Sequence, residues 1–514
     1  MADVKNFEKL RPCGGLEKFS TSRHNINFYN NVGATAAYSN PSSPHSLQST
    51  VFAALRILVN THPILSAIPV DEDKKSPYFA RLPSVDLRTC TQIIERKTAF
   101  FPTEAGEEDE ELDAILEQQH NSHWRDNLGT RPFWNIVVLH SRGASREFTV
   151  SWIFHHALAD GTSGLVFHRS FLAALNSQST DATLEDDPIV KSPTTELLPS
   201  LERLHKLPLN WSFLAKVQWR DWFPNRHPKL WTGAKITSDL SMRTTKVRSL
   251  VLSKEKSTAL LELSREHRTT LTGTLQCIAA SAVLANLDPS KHDRMRVDGA
   301  VSLRRFLSLP DRDIEDQIGA WVSQYFYTHV RPAPSTPPQH PAKEEGAPNE
   351  PSTTTALGLF SWSEAQNVRE AIAAELAKEG KNSMVGCIRW VPSLHSFFQA
   401  HVGRDRSESF ELSNIGVFKP KPEEAKGEWK VGRVVFSQGA AVTGPGFEYS
   451  IATGGDGCLV LSFSWLEGIV QGEFMKRVIW GVGSCVDGLV AAKADQKVNG
   501  DVVAGGAVNG EAVP

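Results

Sequence analysis

One segment, Glu147 to Leu175, constrains this chain more than any other. EFTVSWIF has the composition of a strand and TSGLVFHRSFLAAL the period of a helix. Between them stands His155-His156-Ala157-Leu158-Ala159-Asp160-Gly161. Neighbours on a strand point to opposite faces, so His155 and His156 cannot both face one cleft while the strand persists. One can reach a reacting group; the other packs or bonds inside. Asp160 falls in the turn ahead of a helix, where orphan N–H groups and the macrodipole favour a carboxylate. A histidine in a cleft, with a carboxylate organising its turn, is a reasonable general base near neutral pH. A purely structural strand end and helix cap fits the same residues. A metal site is disfavoured: two adjacent strand histidines are poorly placed to chelate one ion, and no further His/Cys cluster completes the set. No metal is expected.

The elements around this segment mix strands and helices, which gives an α/β fold class. Leu47 to Asn60 and the acidic, exposed stretch Glu107 to His120 read as helices, and Phe133 to His140 as a strand followed by a turn at Arg142-Gly143-Ala144-Ser145. Further on, Lys256–His267, Thr272–Leu287, Trp362–Lys378 and Met475–Leu489 read as helices. Arg296–Leu303, Val431–Phe436, Phe447–Ala452 and Leu459–Trp465 read as strands. Residues 176–200 are rich in Ser, Thr, Asp and Pro, residues 331–355 carry seven prolines, and the tail after Ala491 is Gly, Ala and Val with few anchors. The expected organisation is an N-terminal half over 1–180, a linker or crossover over 181–235 and a C-terminal half over 236–490. Within it, an insert over 331–355 and a tail over 491–514 are expected to be disordered.

Composition excludes several classes. Fifty-five Lys and Arg against 58 Asp and Glu leave a net charge of −3, without the basic footprint of a nucleic-acid binder. No apolar run approaches the ~18 residues of a transmembrane helix, and MADVKNFEKLRPCGG has no secretory h-region. Six cysteines, none at C-x-x-C spacing, read as reduced thiols in a cytoplasmic protein, with Cys277 in a core. No G-x-S-x-G stands ready for a serine hydrolase. Gly444-Pro445-Gly446 reads as a hairpin turn rather than a phosphate loop. His24, His62 and His395 read as structural or exposed, and Trp211, Trp219, Trp222 and Trp231 as packing for the interdomain segment.

His155-His156-Ala157-Leu158-Ala159-Asp160-Gly161 resembles the H-H-x-x-x-D-G signature of the superfamily of chloramphenicol acetyltransferase, plant acyltransferases and peptide-synthetase condensation domains. Other landmarks are similar to one branch, the fungal alcohol acetyltransferases: Leu16-Glu17-Lys18-Phe19, Ser22-Arg23-His24, Tyr29-Asn30-Asn31-Val32, His62-Pro63-Ile64-Leu65, Arg131-Pro132-Phe133-Trp134 and FELSNIGV from Phe410 to Val417. The resemblance runs from about residue 10 to about residue 485; the Pro-rich insert and the tail depart from it. The DFGWG motif of the plant branch is absent.

The resemblance implies a two-domain chloramphenicol acetyltransferase-like fold, with mixed sheets flanked by helices and a channel between the halves. It implies acyl-coenzyme A, most simply acetyl-coenzyme A, as cosubstrate, with no permanently bound cofactor and no acyl-enzyme. The acceptor would be a small alcohol or a hydroxylated secondary metabolite. An amine such as a sphingoid-like toxin, a carrier-protein donor, or a non-catalytic metabolite-binding role are the alternatives. By carry-over of the motif, His156 is the general base and Asp160 turns away to pair with an arginine, Arg304 or its neighbour Arg305. His155 and Gly161 support the motif, and Ser413 and Asn414 line the channel as oxyanion donors. A strand-end turn with local side-chain bonds accounts for that Ser-Asn step equally well. A monomer is expected, in the cytoplasm, with peripheral lipid-droplet or ER association open.

Overall fold

Runs rich in Val, Ile, Phe and Trp become the strands of two mixed sheets. The computed structural model describes residues 3–40, 46–143, 146–177, 187–222, 227–332 and 355–505. In chain order the first part holds α1 (Gly15–Asn25), β1 (Val32–Ser39), α2 (Leu47–Thr61), β2 (Thr91–Glu95), α3 (Glu110–His120), β3 (Trp134–His140), β4 (Glu147–Phe154), α4 (Gly161–Ser177) and α5 (Trp211–Trp222). The second holds β5 (Thr245–Leu252), α6 (Lys254–Glu266), α7 (Leu271–Ala285), β6 (Arg294–Ser302), β7 (Val322–Val330), α8 (Trp362–Leu376), β8 (Phe410–Val417), β9 (Lys430–Gln438), β10 (Phe447–Thr453), β11 (Leu459–Leu466) and α9 (Gly472–Gly505).

The first sheet has the order β9-β1-β4-β3-β2, and the second β5-β11-β10-β8-β6-β7. Each has its own buried core, one around β1, β3, β4, α2 and α4, the other around β6, β8, β10, β11, α7 and α9. The central strand β4 is buried on both faces apart from its first residue: Phe148, Val150, Trp152 and Phe154 fill one face and Ile153, with the small Thr149 and Ser151, the other. Trp152 of β4 lies flat on Phe167 of α4, with ring centroids 4.2 Å apart. That stack fastens the strand and helix on either side of the histidine motif.

Several expectations change. The cut at residue 236 does not separate the sheets, because β9 leaves the second half to pair with β1 in the first sheet. Gly444-Pro445-Gly446 therefore belongs to a crossover between strands of different sheets, not to a hairpin. Helix α3 is not simply exposed: Leu112, Leu116 and His120 are buried. Its Asp113 carboxylate accepts bonds from Ser249 N (3.0 Å) and Oγ (2.8 Å) on β5, so acidic side chains here serve the contact between lobes. The segment 181–235 does more than link: Ile189–Lys191 pairs with Ser84–Asp86, and Leu201 and Leu207 are buried. Trp211 and Trp219 are largely exposed, at 82% and 63%, whereas Trp231 packs against Phe447 and Phe474. Helix α9 continues past the expected Leu489 to Gly505. Residues 144–145 of the expected turn, residues 333–354 of the expected insert and residues 506–514 of the tail lie outside the described residues. All six cysteines are free and buried.

Candidate active site

Where β4 ends, alternation separates the two histidines. His155 N still bonds Phe133 O at 2.9 Å, and its ring turns inward, 1% exposed. His155 Nδ1 accepts from Ala157 N at 2.9 Å, which leaves the proton on Nε2, facing Glu72 Oε1 at 3.1 Å. On α1, His24 repeats this: Nε2 accepts from Trp124 N at 3.1 Å, and Nδ1 donates to Glu72 Oε2 at 2.7 Å. Burial alone would raise the Glu72 carboxyl; the two imidazoles outweigh it and bring it down to about 2. Burial lowers His155 to about 4.

The ligand atoms of His24, Glu72 and His155 lie within 4.8 Å of one another. They do not fit a metal. A coordinating imidazole offers one bare nitrogen to the ion and an N–H to its surroundings. Here the nitrogens turned away from Glu72 are held as acceptors by backbone N–H groups, so those facing it carry the protons. The trio is a clamp that fixes His155. Glu72, in a turn more than eighty residues upstream, has no sequence signal that pairs it with the motif.

His156 takes the other face. Its Nδ1 donates to Ala159 O at 2.9 Å, so Nε2 is left bare. The ring sits 5.8 Å from that of Tyr29 and lines a cavity of about 1900 Å³ between the sheets. Burial, then the nearby Arg23 charge, lower the imidazole to about 4. It is neutral near pH 7, with a lone pair available.

Asp160 points away from the cavity and is fully buried. Its Oδ1 accepts from Arg304 Nη2 (2.9 Å), Ser163 N (2.8 Å) and Ser163 Oγ (2.8 Å), and Oδ2 accepts from Trp321 N (3.0 Å). Burial alone would raise this carboxyl; the Arg304 charge and the backbone donors hold it below its usual range. Arg304 also donates to Ile314 O and Gln317 O, at 2.9 and 2.8 Å, and lies over the Trp321 ring. The neighbouring Arg305 is exposed, so the geometry selects Arg304.

Gly161, Ser413 and Asn414 all line the cavity. A Cβ on Gly161 would meet Ile415 Cγ2 at 2.6 Å and Phe436 Cζ at 2.8 Å. The glycine thus permits close packing of the α4 start against both sheets. The Ser413 hydroxyl is bonded to Glu411 Oε1 at 3.0 Å, and the Asn414 amide donates to Thr272 Oγ1 at 3.0 Å, so both donors are engaged locally. Of the remaining histidines, His24 belongs to the clamp, His62 Nε2 bonds Ser170 Oγ at 2.8 Å, and His395 is half-buried. Arg23 is a cavity residue that sequence reasoning passed over. Its guanidinium lies 4.5 Å from the Phe19 ring and 4.4 Å from the Tyr29 ring.

A family model described as alcohol acetyltransferase matches residues 91–317. A probable alcohol acetyltransferase of Aspergillus fumigatus, crmB, is 35% identical over 480 residues, covering 91% of this chain and 97% of that protein. A probable alcohol acetyltransferase of Fusarium pseudograminearum, FCK4, is 22% identical over 493 residues, covering 91% and 93%. Among solved structures, the TRI3 trichothecene 15-O-acetyltransferase from Fusarium sporotrichioides superposes with a TM-score of 0.66 at 13% identity, over 93% of this chain and 94% of that one. The epimerization domain of tyrocidine synthetase B superposes with a TM-score of 0.57 at 13% identity, over 95% and 97%. At such identities these structures speak for the fold, a two-lobe chloramphenicol acetyltransferase-like architecture. With 35% identity to a relative matched over 91% of its length, the chain belongs to the alcohol acetyltransferase family and is an acyltransferase.

Proposed function

We propose that the protein transfers an acyl group, acetyl in the simplest case, from acyl-coenzyme A to a hydroxyl of a small alcohol or hydroxylated secondary metabolite. The observation that carries this reading is the bare Nε2 of a neutral His156 at the wall of a large cavity between the lobes. The structural neighbour TRI3, a trichothecene 15-O-acetyltransferase, supports a hydroxyl acceptor.

The acceptor O–H gives its proton to His156 Nε2 as its oxygen attacks the thioester carbonyl. The tetrahedral adduct collapses, the C–S bond breaks, and the coenzyme A sulfur leaves with the proton from His156. No bond to the enzyme forms. A positioned base typically supplies about 10²–10⁴-fold, and orientation of the two substrates in one channel supplies much of the remainder. Asp160, Arg304, His155 and Glu72 position the loop and touch no substrate. Ser413 is our candidate oxyanion donor: burial raises the Glu411 carboxyl, and once protonated it can donate to Ser413 Oγ and free the hydroxyl proton for the cavity. Asn414 is the second candidate, through its remaining N–H. Coenzyme A acts as cosubstrate, not as a resident group, and a cytoplasmic monomer suffices because one chain supplies both lobes.

The test is release of free coenzyme A from acetyl-coenzyme A by wild type and His156→Ala, with separate panels of alcohols and amines. We expect release with alcohols and a loss of at least about 10²-fold in the variant. Release that survives His156→Ala overturns the base assignment; release with amines alone overturns O-acylation.

A further inference from the structure

Strands β6, β8 and β10 run parallel side by side, and their register sets Asp298 opposite Glu411 and Glu411 opposite Glu448. Laterally paired residues share a face, so three carboxyls stand in a row at the ~4.8 Å spacing of the strands. Like charges directly opposite are destabilising. Among the described residues none of the three has an ion-pair partner, and Asp298 has no hydrogen-bond partner either. Asp298 and Glu411 line the same cavity as His156. Glu448 stands beside them, 1% exposed; its Oε1 accepts from Ala441 N at 3.3 Å and its Oε2 has no partner. An orphaned oxygen at that burial marks a group whose partner has yet to be supplied. The next residues on this face of β8 and β10 are Ser413 and Ser450, directly opposite each other and small, which leaves room above the row.

The row also reaches the base. Gln438 Nε2 lies 3.5 Å from Glu411 Oε1, Tyr29 OH donates to Gln438 Oε1 at 3.3 Å, and the Tyr29 ring adjoins His156. The Arg23 guanidinium also lines the cavity, near enough for its charge to act on Glu411, Glu448 and His156, which disfavours a second cation there. Burial and mutual repulsion push Asp298 and Glu448 well above the usual carboxylate range, so the row carries O–H donors as well as acceptors.

We infer that Asp298 and Glu411, backed by Glu448, form an acceptor-recognition wall that hydrogen-bonds a further hydroxyl of the acceptor, so that diol or polyol acceptors are preferred over simple alcohols. This rests on the reading above that the cavity takes a hydroxylated acceptor. A hydrocarbon chain laid on the row would leave Asp298 and the Glu448 Oε2 atom without partners, whereas a further hydroxyl can both donate to and accept from the row.

The probes are 1-octanol, 1,2-octanediol and 2-amino-1-octanol, titrated calorimetrically into full-length wild type, Glu411→Gln, Asp298→Asn and His156→Ala. Wild type should bind the diol about tenfold more tightly than the monohydric alcohol, as expected for one hydrogen bond to a buried partner. That preference should shrink to about twofold or less in Glu411→Gln and in Asp298→Asn, the latter standing in if the former misfolds. His156→Ala should keep the preference. If it does so while wild type shows no acyl transfer, the wall stands and the catalytic reading fails. Equal affinity of wild type for diol and alcohol, no binding of either, or a preference that survives both carboxyl variants overturns the proposal. So does tenfold tighter binding of the amino alcohol than of the diol, which would make the row an ammonium site.

Discussion

Arg304→Met is the most informative perturbation of the site. Methionine keeps an apolar stem that can lie over Trp321 but removes the charge and every donor. Asp160 is then left fully buried with three donors, Ser163 N, Ser163 Oγ and Trp321 N, and Ile314 O and Gln317 O each lose one. Removing one partner of a buried pair costs about 3–5 kcal/mol. At about 2–4 °C per kcal/mol for lobes of this size, the melting temperature should fall by about 6–20 °C. The Asp160 carboxyl is depressed in the folded state, so the stability it contributes is present above its unfolded pKa and lost as pH falls through the folded one. The gap between wild type and variant should therefore be widest near pH 7 and close in acid. Calorimetric melts at pH 7 and at a series of pH values below 3.8 measure both terms. The double variant Asp160→Leu with Arg304→Met should recover most of the loss, because an apolar pair of similar volume leaves no buried charge behind. A single variant within about 1 kcal/mol of wild type, or a double variant no better than the single one, would refute the view that the loss in Arg304→Met comes from a buried charge left unpaired.

Because His156 sits at about 4, kcat/KM should be flat from about pH 8 down to about pH 5 and fall only as pH drops through about 4, where the protonated ring can no longer accept a proton; an acid limb near 6.5 would contradict this. Glu72→Gln gives the clamp one acceptor oxygen where two buried imidazole N–H groups need partners. We expect a loss of about 1–3 kcal/mol in chemical denaturation, with kcat falling and KM for the acceptor little changed. Prolonged dialysis against a chelator should leave wild-type activity intact, since the proton positions in the clamp do not suit a metal; a loss restored by zinc would overturn that assignment.

Local chemistry was legible in the sequence and register was not. The opposite fates of His155 and His156 follow from strand alternation alone, and Asp160 ahead of α4 from helix capping. Arg304 could be narrowed to two residues only through the family resemblance; which of the pair turns inward depends on the turn after β6. Glu72 could not be found, since its partners come from α1 and the end of β4. The carboxyl row was equally hidden: Asp298, Glu411 and Glu448 are scattered over 150 residues and meet only through the parallel pairing of three strands. The transfer of β9 into the first sheet was invisible for the same reason. Val431–Phe436 reads as a strand whichever sheet receives it, and nothing in its own residues names the partner.

That transfer bears on how the site can work. Lobes joined by a small polar interface would be expected to move relative to one another. Here β9 is a full strand of the first sheet supplied by the second half, so separating the lobes would break its pairing with β1. Arg433 on the same strand donates to Thr103 O and Glu107 O, and Asp113 of α3 accepts from Ser249 of β5. The base loop is tied in the same way, because Asp160 comes from the end of β4 while Arg304 and Trp321 come from the chain between β6 and β7. His156 therefore faces Ser413 and Glu411 across a channel whose two walls are fastened to each other by a strand, a buried ion pair and a helix contact. On the function proposed above, substrates then enter through the ends of the channel rather than by separation of the lobes. Anything that loosens the Asp160–Arg304 pair displaces His156 relative to the opposite wall, before either sheet has lost its own core.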